Sequence, residues 1–265
     1  MRESSVFRVD LPRGVLYVNV VGSVSRGFVE LVLELIVGAY RVLESSPELL
    51  ELYIYESSEV KRRVLLSEAL ELGISVLGDY PVSHEAWTGW PRMHVDYEAC
   101  RDLRREYLRA LLYHEAVHSI LHGSLASYIV STGDLEGLLE VDLLEAVYLA
   151  SVVVKDIEVH SYLAKRRLHD ILREYYEYTS NSLREVRCGA LPGLLELAKL
   201  ISPCLYIDCG DVSKLLHETC KSRVSEILSI LERFESAQGD LSSRTRKLLL
   251  DLTSVLTRRS QSSQR

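Results

Sequence analysis

The chain is poor in side-chain amides: its 265 residues include only Asn19, Asn181 and three Gln. Scarcity of these thermolabile residues points to a heat-adapted source. Arg greatly outnumbers Lys, although Arg enrichment is not a general marker of heat adaptation. Also missing is any apolar run of the roughly 18 or more residues that a membrane-spanning helix needs. The best candidates, 28–40 and 146–154, are short or broken by Glu. The start, Met1-Arg-Glu-Ser-Ser, has neither the basic opening nor the apolar stretch of a secretory leader. A cytoplasmic protein is expected, with no membrane partner.

An excess of positive charge is absent too. The net charge of −7 disfavours a broad nucleic-acid surface, so no nucleic-acid partner is expected. Basic stretches at 101–109 and 165–167 alternate with acids and read as solvated helix faces. The five cysteines form no CxxC pair, which removes zinc-finger spacing. In a cytoplasmic chain they are expected to be free buried thiols, with Cys204 and Cys209 the pair that could close. Heat adaptation would make such a bridge less unusual.

No internal repeat is present, but the pattern changes near residue 100. Before it, strand-like and helix-like segments alternate. Strands are expected at 14–21, 52–55 and 74–77, and helices at 29–44 and 59–71. A turn-rich loop, 78–92, carries Trp87 and Trp90, and 93–97 alternates apolar and polar residues like a half-exposed strand. After residue 100 the spacing predicts helices at 100–122, 136–177, 190–202, 210–235 and 241–258. The expected fold is α+β: a small N-terminal mixed sheet packed on one long helix, then a mostly helical C-terminal region. Its expected divisions are 1–175, a helical region 176–258, and a disordered tail 259–265.

The chemistry gathers at His114-Glu115-Ala116-Val117-His118. On a helix, residues i and i+4 share a face, so both imidazoles can point at one cation. Glu115 is about 100° round, within reach of a water on that ion. Zinc with three protein ligands leaves a position for water, and a neighbouring carboxylate can serve as general base. This is why the chemistry needs His, Glu and His at that spacing. His122 continues the row but stands about 12 Å along the axis from His114, too far to share the same ion. It reads as a cation near the helix C-terminus, with Gly123 as the stop.

A third ligand must come from elsewhere, and the segment VKDIEVHSYL in the helix 136–177 offers acids. Asp156 and Glu158 are about 200° apart, so only one can face the metal. Asp156 shares its face with His160, while Glu158 shares a stripe with Ser151 and Val154. Periodicity leaves both open. The plain alternative is an Asp156–His160 surface pair.

These segments together resemble the core of gluzincin metallopeptidases, the minigluzincins in particular, over roughly residues 93–165. The resemblance implies zinc as cofactor, Glu115 as general base and a third acidic ligand, which falls on Asp156 with Glu158 as alternative. His160 takes the place of the usual Asp or Asn partner, and His160, Tyr162 and Tyr113 are candidates for the oxyanion. Metzincin sequences would carry Gly and His where Leu121 and Ser124 stand. The resemblance also implies that strand 93–97 is the sheet edge on which an extended peptide docks. The leading expectation is a soluble zinc metallopeptidase acting on a peptide or protein substrate. Its alternatives are a regulatory module that keeps a zincin core and docks a protein partner through its C-terminal helices, and a helical scaffold in which HExxH is coincidental. Cys204, Cys209, Asp208 and His217 are a remote candidate for a second metal site.

Overall fold

The computed structural model of the chain describes residues 4–74, 80–131, 143–235 and 239–262. The chain divides into two compact units, Met1–Tyr128 and Ile129–Arg265. The division thus falls at Tyr128 and not near residue 175.

The first unit is built on a five-stranded mixed sheet. Its strands are β1 (Ser4–Asp10), β2 (Val15–Val21), β3 (Leu49–Tyr55), β4 (Val82–Glu85) and β5 (Arg92–Asp96), in the order β1-β2-β3-β5-β4. The β2, β3 and β5 strands run parallel, with antiparallel β1 and β4 outside them. Helix α1 (Arg26–Leu43) follows β2, and α2 (Ser58–Leu72) follows β3. Ser25 and Ser57 cap their N-termini, and Gly73 closes α2 in the left-handed conformation at φ 67°. A short α3 (Tyr97–Cys100), capped by Asp96, leads into α4 (Arg105–Leu121). β1 was not anticipated from the sequence, and β4 lies inside the segment read as a loop. The expected strand at 74–77 falls, beyond Ile74, outside the described residues.

Register sorts the side chains of this sheet into two faces. Leu16, Val18 and Val20 align with Leu50, Leu52 and Ile54, and the last two with Met93 and Val95. All eight are buried. This apolar face carries α4 and α1: the Tyr40 hydroxyl of α1 is 3.8 Å from Met93 Sδ and 2.7 Å from Ser119 Oγ of α4. Burial pushes the Tyr40 phenol well above its ordinary value, so it keeps its proton and can donate.

The opposite face presents Arg92, His94 and Asp96, and it too is buried. Hence the half-exposed strand expected at 93–97 is Arg92–Asp96, covered on both sides. Arg92 pairs with Glu85 and, at 2.7 Å, with Glu68 of α2. His94 Nε2 is 3.2 Å from Glu85, and its Nδ1 is 3.0 Å from the Tyr55 hydroxyl. The His94 ring stacks on Tyr53 at 5.4 Å. Trp87 donates its indole N–H to Glu68 at 3.4 Å and its backbone N–H to Glu85 at 3.1 Å. Trp87 therefore belongs to this network, whereas Trp90 stands 39% exposed. A strand can bury charge on one face because these charges are hydrogen-bonded to one another.

The second unit is helical: α5 (Leu143–Lys165), α6 (His169–Thr179), α7 (Leu191–Ile201), α8 (Glu218–Lys221), α9 (Val224–Glu235) and α10 (Leu241–Ser262). Ala146, Ala150, Val153 and Ile157 of α5 share a core with Leu194, Leu197 and Ile201 of α7 and Leu248 and Leu252 of α10. The continuous helix expected over 136–177 is broken. Arg167 takes the left-handed conformation at φ 61°, and the N–H of Leu168 closes on the Leu163 carbonyl at 3.0 Å. Residues 132–142 lie outside the described residues. The helix expected over 210–235 is likewise interrupted before α8 and α9. α10 runs on to Ser262, past the expected end at 258. Two disulfides, Cys188–Cys220 and Cys204–Cys209, replace the expected free thiols, and only Cys100 stays reduced and buried. Bridging of Cys204 and Cys209 also removes the candidate second metal site. Among the described residues, no helix is long and apolar enough to cross a membrane.

Candidate metal centre

α4 begins at Arg105, five residues later than expected, because Asp96 first caps α3 through the N–H of Ala99 at 3.1 Å. Leu108, Leu112, Ala116 and Val117 bury its apolar stripe. The Tyr113 hydroxyl lies over Gly38 of α1, 3.9 Å from where a Cβ would sit. Tyr113 thereby serves the α1–α4 packing.

His114 and His118 lie on the same helix and are only 3% and 8% exposed. Their Nε2 atoms are 3.0 Å apart. Two nitrogens bound to one tetrahedral zinc at about 2.0–2.1 Å each stand about 3.3 Å apart. The pair is thus set to within a few tenths of an ångström of what one ion would require, and its donors are of the type zinc takes. Glu115, between them in sequence, is half-buried.

Two further histidines surround His118. His122, expected to be a cation near the helix C-terminus, is 5% exposed, and its Nδ1 is 3.0 Å from Nδ1 of His118. It occupies the C-cap of α4, its backbone N–H donating to the His118 carbonyl at 2.7 Å. Gly123 then passes so close that a Cβ would sit 2.3 Å from the Ser119 carbonyl oxygen and 3.3 Å from Pro91. Glycine is required there for this close approach. His84, on β4, lies on the sheet face that carries α4. Its ring is nearly parallel to that of His118, 11° apart in plane and 6.0 Å between centroids. Its Nδ1 is 3.0 Å from the hydroxyl of Tyr128, in the 3-10 turn Leu125–Tyr128. His84 and Tyr128 were missed in the sequence because four strand residues inside a turn-rich loop leave too short a pattern to place on a face.

The other site residues expected from the sequence belong to α5, in the second unit. Asp156 is 2% exposed. Glu158 is a third exposed and forms an ion pair with Arg244 of α10. His160 is fully buried, with Nδ1 3.0 Å from Ser202 Oγ and its ring 5.4 Å from that of Tyr175. It is therefore a buried residue of its own unit and no part of a surface pair. Tyr162 is half-buried beneath the guanidinium of Arg166, 5.0 Å away.

No protein family, curated protein or solved structure matches the chain.

Proposed function

We propose that the protein is a zinc-dependent metallopeptidase whose metal is held by His114, His118 and Asp156, with Glu115 as general base. The observation that carries this reading is the convergence of two buried imidazole nitrogens, 3.0 Å apart, on one face of one helix. Burying two imidazoles costs free energy that a shared cation offsets. Asp156 is preferred to Glu158 as the third ligand because it is buried, whereas Glu158 is committed to Arg244.

Bound zinc would polarise a peptide carbonyl and acidify the attacking water. Glu115 accepts the proton of that water and returns it to the leaving amine nitrogen. Because β5 is flanked on both sides and is not the edge expected at 93–97, this reading takes β4, an outer strand, as the docking edge. An extended peptide would add to the outer side of β4, its main chain hydrogen-bonding there.

The test is metal content by mass spectrometry of wild type, His118→Ala, D156A and E158A. One zinc per chain is expected in wild type and E158A, and none in His118→Ala or D156A. Absence of zinc from wild type in metal-replete medium sinks the proposal. Loss in E158A with retention in D156A reassigns the third ligand. Peptide-library digestion with E115Q as control then checks the chemistry. Cleavage that survives in E115Q rules out Glu115 as the base.

A further inference from the structure

His118 has a nitrogen contact on each side of its ring. Nε2 faces His114 Nε2 at 3.0 Å, and Nδ1 faces His122 Nδ1 at 3.0 Å. A nitrogen-to-nitrogen contact at that distance needs one hydrogen between the two atoms, so one ring donates and the other accepts. A neutral imidazole carries its single hydrogen on one nitrogen, and a metal binds the other. The direction of the His118–His122 hydrogen bond therefore decides which nitrogen of His118 is left to bind an ion.

We propose that His122 is a positioning residue: its Nδ1 accepts the Nδ1–H of His118 and leaves Nε2 of His118 as the metal-binding lone pair. This rests on the metal-site reading above. Three features hold His122 to the task. It sits two turns beyond His114, at the C-cap of α4, so its backbone is tied to His118 by the 2.7 Å hydrogen bond from its N–H. Gly123 brings the following chain close against Ser119 and Pro91. His84, parallel to His118 and joined to Tyr128, limits rotation of the His118 ring from its face. Partners of this kind fix the tautomer and ring orientation of a metal-binding histidine, and their loss typically lowers metal affinity about 10- to 100-fold. A helix-end histidine serving only the dipole would face water and would leave the tautomer of His118 unaffected.

The decisive measurement needs no variant. Long-range 1H–15N correlation of the histidine rings in the metal-free full-length protein at pH 8 reads each tautomer directly. His118 is expected as the Nδ1–H form and His122 as the Nε2–H form. His118 found as the Nε2–H form overturns the proposal. Zinc titration of His122→Ala and His122→Asn gives the second arm. The alanine variant should bind zinc about 10- to 100-fold more weakly, and asparagine, whose Oδ1 can accept the same hydrogen, should recover most of the loss. Unchanged affinity in His122→Ala, or no difference between alanine and asparagine, also overturns it. If wild type takes up no zinc, the metallopeptidase reading falls, while the tautomer measurement on the same sample still decides what His122 does.

Discussion

The two faces of the N-terminal sheet bury polar groups in different ways. On the face covered by α2, Arg92 stands between Glu68 and Glu85, and His94 between Glu85 and Tyr55. Opposite charges meet, donors meet acceptors, and the arrangement explains itself as structure. On the face covered by α4, His84, His114, His118 and His122 gather, and the contacts along the helix run from imidazole nitrogen to imidazole nitrogen. Such an arrangement gains most from a cation placed against it. Burial of polar side chains is therefore a poor marker of a site by itself. The donor chemistry on each face distinguishes a network satisfied by its own charges from one with the donors to hold a cation.

The contrast can be broken most directly at the histidine face. Replacing His118 with Ala should take the protein from one zinc per chain to none while leaving the fold intact, read by mass spectrometry beside circular dichroism. Equal zinc in the variant would put the histidine face in the same structural class as the other. The next effect in size belongs to the charged face. Arg92→Met leaves the buried carboxylate of Glu85 without its cation, a loss of about 3–5 kcal/mol by urea unfolding. Zinc stoichiometry should not change. A cost below about 1 kcal/mol would mean that the network does not hold the sheet.

Acid should weaken the charged face through two groups. Burial holds His94 below the ordinary imidazole value, and the Arg92 hydrogen bond holds Glu68 below the ordinary carboxylate value. In both cases the unfolded chain takes up a proton at a pH where the folded protein does not, so stability falls as pH falls. The His94 part should appear below about pH 6.5 and the Glu68 part below about pH 4.5. His94→Gln should flatten the loss between pH 7 and pH 5. An unaltered slope in that variant would assign the loss to other groups. The smallest effect is Tyr40→Phe, which removes the hydroxyl contact with Ser119 and should cost about 1 kcal/mol, checked by the same unfolding assay.

Much of the fold was legible because its signals are local. The β2, β3, α1 and α2 elements follow from apolar periodicity and from caps within a few residues of each end. Elements without a local signal were lost: β1 is exposed at Val6 and Phe7, and β4 has only four residues. The long helix expected over 136–177 broke at Arg167, a left-handed residue that is not glycine and so carries no sequence warning. The cysteines were misjudged because pairing depends on where the chain folds back. Cys188 and Cys220 are 32 residues apart in sequence.

What the sequence determined alone is the placing of His114, Glu115 and His118 around one helix. Helical geometry sets that relation whatever surrounds it. Tertiary structure decided the rest. It covered both faces of β5, made β4 an edge and brought that strand's His84 against His118. It turned His122 inward and engaged Glu158 with Arg244, 86 residues away. Each of these is a contact between side chains that only folding brings together, and no periodicity within a single helix or strand encodes it.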